Sequence, residues 1–140
     1  MKQIECASRE GGIPPSRNLS RWVDHILGKN FHHFCPADSW SPSINLYEDE
    51  KAYYIIAELA GIPTDEIDLH VDGSTLVLSG ARRSPKVEDP DGPVRLHLME
   101  IDHGRFCRTL KAPPDVDLDG IEATYRAGFL WIRLPKINEQ

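Results

Sequence analysis

The chain has 140 residues, 40% of them hydrophobic and 27% charged, which suits one folded domain with a tail or two. Net charge is −6 with histidines neutral. Residues 1–40 are near neutral, with five Lys/Arg and four Asp/Glu, whereas residues 41–140 carry eleven and eighteen; this acidic body lacks the clustered cations that nucleic-acid binding needs.

Residues 1–18 hold Gly11, Gly12, Pro14 and Pro15 and little apolar content, the composition of a flexible segment. They contain no apolar signal core, and no run is long enough to span a bilayer, which predicts a cytoplasmic chain with no membrane partner. Asn18-Leu19-Ser20 fits a glycosylation acceptor, but without a secretory signal it reads as coincidence. Cys6, Cys35 and Cys107 are odd in number with no C-x-x-C, which predicts free thiols in a reducing compartment rather than a disulfide framework.

In residues 19–27, Leu19, Trp22, Val23, Ile26 and Leu27 recur at helical spacing and form one apolar face. Asn18 is a fitting N-cap and Gly28 a stop. So short a helix needs a partner surface to persist in water. Residues 29–43 are irregular but keep Phe31, Phe34 and Trp40, aromatics suited to contacts made elsewhere.

From residue 44 the period changes to two. Ile44 and Leu46, then Tyr53 to Leu59, read as two strands across Asp49-Glu50. Ile67, Leu69 and Val71 alternate with Asp68, His70 and Asp72; Leu76 and Leu78 follow, with Val77 apolar on the outer face. Val94, Leu96 and Leu98 alternate with Arg95 and His97. Phe106 and Leu110, then Ile121, Ala123 and Tyr125, then Leu130, Ile132 and Leu134 complete the series, with Gly and Pro breaks between. Short strands with frequent turns predict an all-β chain: an antiparallel β-sandwich behind a short, partly helical N-terminal arm.

Candidate chemistry is sparse. DVDLDG at residues 115–120 spaces Asp115, Asp117, Asp119 and Gly120 like the start of a calcium loop, but its twelfth position is Arg126 instead of a bidentate carboxylate. It reads as a solvated acidic connection. His25, His32, His33 and Cys35 can ligate a soft metal, but their spacing matches no finger or enzyme pattern, and tail filler is the better reading. Cys107, beside Phe106 in a strand, reads as a buried inert thiol. No nucleophile elbow, zinc-protease, phosphate-loop or dinucleotide motif occurs, so neither an enzyme nor a cofactor is predicted. Arg108 shares a face with Phe106 and Leu110. Either its stem packs and its head reaches an edge, or it is a paired arginine at a subunit contact.

Together, several ordered motifs resemble the small heat shock proteins, the α-crystallin domain family. Trp40 to Glu48, WSPSINLYE, resembles that family's W-x-P-x-x-D-φ-x-E opening strand, with Asn45 where Asp is usual. Glu58 to Pro63, followed by Glu66-Ile67, resembles its D-L-P-G-V…D-I segment, and Leu76 to Arg82 its L-x-I-x-G-x-R. Glu100, Gly104 to Arg108 and Pro113 resemble its G-x-F-x-R stretch, and Ala123 to Leu130 its A-x-x-x-n-G-v-L signature. The resemblance covers residues 40–136, with residues 1–39 as the arm and residues 137–140 as a truncated tail.

The resemblance implies an immunoglobulin-like sandwich of seven to nine strands and an ATP-independent holding chaperone that binds unfolded client proteins. Leu19, Trp22, Val23, Ile26, Leu27, Phe31 and Phe34 are the expected capture surface. It also implies a homodimer by strand exchange, with residues 94–100 of the loop 81–104 reaching the partner's sandwich. Val94, Leu96, Leu98, Glu100 and Arg108 are then interface residues. In relatives, an I-x-I/V tail docks into a groove, whose walls here would be Ile67, Leu69 and Val71 facing Ile121, Ala123 and Tyr125. Ile137 is followed by Asn138 and Glu139, so the second anchor is missing; the expectation is an open groove, and dimers or small oligomers in place of large shells. The rival reading is a co-chaperone or protein-binding module of the p23 type on the same sandwich, which usually lacks the signature hairpin and the long loop.

Overall fold

The computed structural model describes residues 2–4 and 35–138. Eight strands occur among them: β1 (Lys2–Gln3), β2 (Ile44–Glu48), β3 (Ala52–Glu58), β4 (Ile67–Asp72), β5 (Thr75–Arg82), β6 (Gly104–Lys111), β7 (Glu122–Arg126) and β8 (Phe129–Pro135). They form two four-stranded sheets, ordered β1-β4-β5-β6 and β2-β3-β8-β7, with every pairing antiparallel. The all-β sandwich read from the alternation is the observed fold. The helix predicted over residues 19–27 lies outside the described residues.

The alternation explains the layers. Leu69, Leu76, Leu78 and Leu110 from one sheet meet Ile55, Ala57, Leu130, Ile132 and Leu134 from the other, all at most 1% exposed. Each leucine or isoleucine among them contributes about 1.5–3 kcal/mol on burial, so the facing rows hold the sheets together. One close approach fixes a sequence choice: a Cβ on Gly80 would run into the Glu66 carbonyl oxygen and the Phe106 ring. At the end of the second sheet, Ala127 (φ +52) and Gly128 (φ +83) turn the chain between the paired Arg126 and Phe129. Two consecutive left-handed residues match the right-handed twist of a tight hairpin. That is the physical content of the A-x-x-x-x-G-x-L pattern.

Three expectations change. First, residues 94–100 form no strand in the single chain. β5 and β6 pair with each other from Thr75↔Lys111 to Arg82↔Gly104, so the excursion between them leaves the sheet beyond the end of that pairing. Second, Cys107 is not a free thiol: it is disulfide-bonded to Cys35, with Cα atoms 5.5 Å apart, a separation that suits the bond. The odd count hid an intramolecular pair 72 residues apart. Third, flexibility does not extend to residues 2–4, which add β1 to the edge of β4.

Candidate functional site

Exposure singles out the segment between β5 and β6. Val94, Leu96, Leu98, Met99 and Ile101 are 51–75% exposed, whereas most other apolar residues among those described are buried. Exposed apolar side chains grouped on one segment are the kind of surface that interaction sites use. The stretch leaves the sandwich through one clamp. Arg82, the last residue of β5, donates from Nε (3.0 Å) and Nη2 (2.8 Å) to the Asp102 carbonyl, and from Nη1 to the Ala60 carbonyl at 3.2 Å. Its guanidinium also lies 4.5 Å from the centre of the Trp40 ring. Arg82 thus fastens the far end of the loop to its near end and orders the exit while the middle stays exposed. It closes the L-x-I-x-G-x-R stretch, but nothing in the residue pattern tells that it spans the loop's mouth.

Within the single chain, Arg108 is hydrogen-bonded to a backbone carbonyl. Paired with Leu78 in the sheet, it faces inward, and its Nη1 donates to the Pro42 carbonyl at 2.8 Å. Among the described residues no carboxylate pairs with it, and burial pushes its pKa below the usual arginine value. A guanidinium stays charged regardless, so its remaining donors are an incentive for further contacts. Pro42 leads into β2, whose backbone pairs only with β3 among the described residues. Arg108 therefore sits at the start of a sheet edge that is open to another strand.

Residues 35–41 run along the outer border of β6. The Trp40 amide donates to the Arg105 carbonyl (3.1 Å) and the Cys107 amide to the Trp40 carbonyl (2.9 Å), while Ser41 Oγ donates to the Cys107 carbonyl (3.1 Å). The Cys35–Cys107 bond adds a covalent tie to this strip. On the outer face Val77 and Cys107, with Pro36, Ser39 and His70, line an open depression of about 410 Å3, and both Val77 and Cys107 are buried. That explains the apolar Val77 on the face that alternation assigns to solvent.

At the opposite end of the sandwich, Glu48 is fully buried and paired with Lys136, which also donates to the Asp49 carbonyl at 2.9 Å. The Lys136 ammonium stands 5.0 Å from the Tyr53 ring centre, and Tyr53 donates to Asp115 at 2.9 Å. Desolvation first, then the Asp115 and Glu48 carboxylates, raise the Tyr53 pKa well beyond that of a free phenol. This cluster ties the end of β2 to the residue after β8. Asp115 thus serves a tyrosine, and Asp117 accepts the Asp119 amide at 3.1 Å to cap a short turn, so DVDLDG acts as a structural connection. Among the described residues no three His, Cys, Asp or Glu are grouped to hold a metal ion; His25, His32 and His33 lie outside them.

The residues expected to wall a groove lie on β4 and on or beside β7. Ile67, Leu69, Val71, Ile121 and Ala123 are buried, and Tyr125 is half-buried, donating to the Leu59 carbonyl at 2.7 Å. The edge of β4 beside them is not bare, however. Lys2 and Gln3 pair with Val71 and His70, the Ile4 amide donates to the Leu69 carbonyl at 3.0 Å, and Ile4 is buried in the core cluster. A lone isoleucine between Gln3 and Glu5 gives no period to read, so the sequence carries no signal for this strand. The predicted capture residues Leu19, Trp22, Val23, Ile26, Leu27, Phe31 and Phe34 all lie outside the described residues. No helix among those described is long and apolar enough to cross a membrane.

Comparison with known proteins draws these features together. Residues 45–140 match the model of the Hsp20/alpha crystallin family. Heat shock protein 16 of Schizosaccharomyces pombe is 33% identical over 131 residues, covering 91% of this chain and 88% of that protein. Small heat shock protein C4 of Rickettsia felis is 32% identical over 96 residues, covering 69% of this chain but only 57% of the longer Rickettsia protein. The crystal structure of hspA from Xanthomonas axonopodis superposes with a TM-score of 0.60 at 32% identity, over 70% of this chain and 95% of that one. With its two-sheet sandwich, its left-handed Ala127-Gly128 hairpin and a family match over more than half its length, the chain belongs to the Hsp20/alpha crystallin family, the small heat shock proteins.

Proposed function

We propose that the chain is an ATP-independent holding chaperone that works as a homodimer and captures unfolding proteins before they aggregate. Small heat shock proteins are chaperones rather than enzymes, and holding needs no reactive group. It needs apolar surface to engage unfolded segments and enough charge to keep the complex dissolved. The observation that carries this reading is the exposed apolar run Val94 to Ile101 on an otherwise well-buried sandwich.

In the dimer, Val94 to Glu100 of one protomer adds a strand to the open edge of β2 in the other. Among the described residues the loop's alternating pattern has no strand partner, and β2 pairs on one side only, with β3. Arg108, next to the start of β2 and with donors to spare, lies at this contact. The apolar residues 19–27 with Phe31 and Phe34 make the capture surface, and the cytoplasm is the compartment of action. The test is light scattering of a heat-denaturing client, with and without this chain, in nucleotide-free buffer. Suppression near equal mass supports the holdase, and its loss on deleting residues 5–34 supports capture by the arm. Absence of suppression, together with one stoichiometric partner in a pull-down, supports the p23-type binding module.

A further inference from the structure

The Cys35–Cys107 disulfide ties the residues before Cys35 to the sandwich, yet the core is built without it. Cys107 lines the outer depression with Val77, and neither belongs to the core cluster. From Trp40 on, the strip along β6 is held by other bonds. The Trp40 amide donates to Arg105, the Cys107 amide to Trp40, Trp40 Nε1 to the Gly104 carbonyl at 3.2 Å, and Ser41 Oγ to Cys107. Before Trp40 the picture differs. Among the described residues, 35–39 make no hydrogen bond to β6; the Ser39 amide and Oγ both turn to the Pro36 carbonyl, at 3.2 and 2.6 Å. The disulfide therefore holds residues 35–39 against the sheet. Its two ends differ in access: Cys107 is 3% exposed, whereas Cys35 is half-buried. Arg105, a permanent cation, lines the depression beside Cys107, where positive charge favours a departing thiolate. In a chain of the reducing cytoplasm, the compartment proposed above, a disulfide is commonly transient and redox-sensing.

We propose that Cys35–Cys107 is a thiol-exchange site, opened by a dithiol reductant from the Cys35 side, and that opening it moves the root of the arm from Cys35 to Trp40. A thiolate of the reductant attacks Cys35 Sγ. The new S–S bond forms as the Cys35–Cys107 bond breaks, and the electron pair leaves on Cys107 Sγ, which takes a proton from water. The reductant's second thiol, losing its proton to water, attacks its own sulfur in the mixed disulfide. Cys35 departs as a thiolate and is protonated, the reductant leaves as a cyclic disulfide, and two electrons have passed to the protein. Residues 35–39 then join the arm and add about 17 Å to its reach at full extension. Pro36 and Ser39 leave the rim of the depression, so the buried Val77 gains access to water. The bonds at Trp40 and Ser41 stay. Longer reach and newly bared apolar surface make the reduced chain the stronger holdase. That last step rests on the function proposed above; the exchange and the release do not.

Three measurements on the full chain test it. In the first, the oxidised protein meets reduced glutathione in buffer without denaturant, and the adduct is located by peptide mass mapping. It should sit on Cys35 at least tenfold more often than on Cys107. No adduct until urea is added, or an adduct chiefly on Cys107, overturns the proposal. The second is the backbone order parameter by nuclear magnetic resonance, before and after dithiothreitol. Ala37, Asp38 and Ser39 should fall from the rigid range near about 0.85 to below about 0.6, while Trp40 and Cys107 stay rigid. No change at residues 37–39 overturns the proposal. Loss of order at Trp40 and Cys107 as well also overturns it, because reduction then frees the whole strip. The third is light scattering of a heat-denaturing client that has no cysteines. Half as much reduced chain should match the suppression by the oxidised chain, and Cys35→Ser should behave as reduced in either buffer. Equal suppression by the two states overturns the regulation. Suppression by neither state is a failure of the holdase reading instead, and the first two measurements then decide the exchange site alone.

Discussion

Leu76 and Leu78 on β5, and Leu96 and Leu98 on the loop that follows it, carry the same alternating pattern and end in opposite places. The first two are fully buried; the second two are 68% and 75% exposed. The difference lies in the neighbours. β5 is flanked by β4 and β6, both within the chain, and β6 takes up the whole of one side of it. The loop between β5 and β6 is left over from that pairing. A period of two states that a segment can be a strand with one apolar face; it does not state which chain supplies the edge. The unspent pattern on the loop is the clearest physical reason to expect a second copy.

The most damaging change should fall on the closed part of the molecule. Lys136→Ala strands the fully buried Glu48 without a cation, and breaking one side of a buried pair costs about 3–5 kcal/mol. A large drop in the urea midpoint is expected, and an unchanged midpoint would contradict the role given to this pair. Reduction comes next. The Cys35–Cys107 bond closes a loop with a separation of 72 residues, for which chain entropy sets a stabilisation of roughly 4 kcal/mol at most. Urea unfolding in dithiothreitol should therefore show a lower midpoint than under oxidising conditions, and Cys107→Ser should abolish the difference.

The smallest effect is one of pH, at the border between the closed and open parts. Burial raises the carboxyl pKa of Asp68, but the hydrogen bonds from His70 and Gln3 outweigh it and leave it below the ordinary 3.8. A carboxylate with a depressed pKa in the folded state contributes stability that is complete above the ordinary value and is lost as pH falls through the lower one. Protection of the Ile4 amide should accordingly hold from neutral pH down to about pH 4 and weaken below it. In Asp68→Asn that acid-side change should vanish.

Much of the fold was legible because its physics is local. Alternation marked β2 to β8, and the Ala127-Gly128 turn announced the last hairpin through residues that tolerate or require left-handed backbone. What escaped was set by distance in the chain. Cys35 and Cys107 meet only because residues 35–41 run beside β6, and Arg82 acts only because Asp102 returns to it after a long excursion. Strand β1 escaped for the opposite reason: two polar residues beside the single apolar Ile4 are too few to show a period. Arg108 was legible as unusual, since an inward cation between Phe106 and Leu110 demands an acceptor, but the acceptor proved to be the Pro42 carbonyl and not a carboxylate.

The most direct test of the account is a mass measured by multi-angle light scattering across a range of concentrations, for the parent chain and for the double variant Leu96→Asp/Leu98→Asp. If the exposed loop is a strand awaiting a second copy, the parent should have at least twice the 15.8 kDa of one chain. The variant should fall to one chain while keeping its unfolding midpoint, because both side chains are already solvent-exposed in the single sandwich. A parent of 15.8 kDa at every concentration, or a variant that keeps the parent's mass, would contradict the claim that this loop joins the two copies.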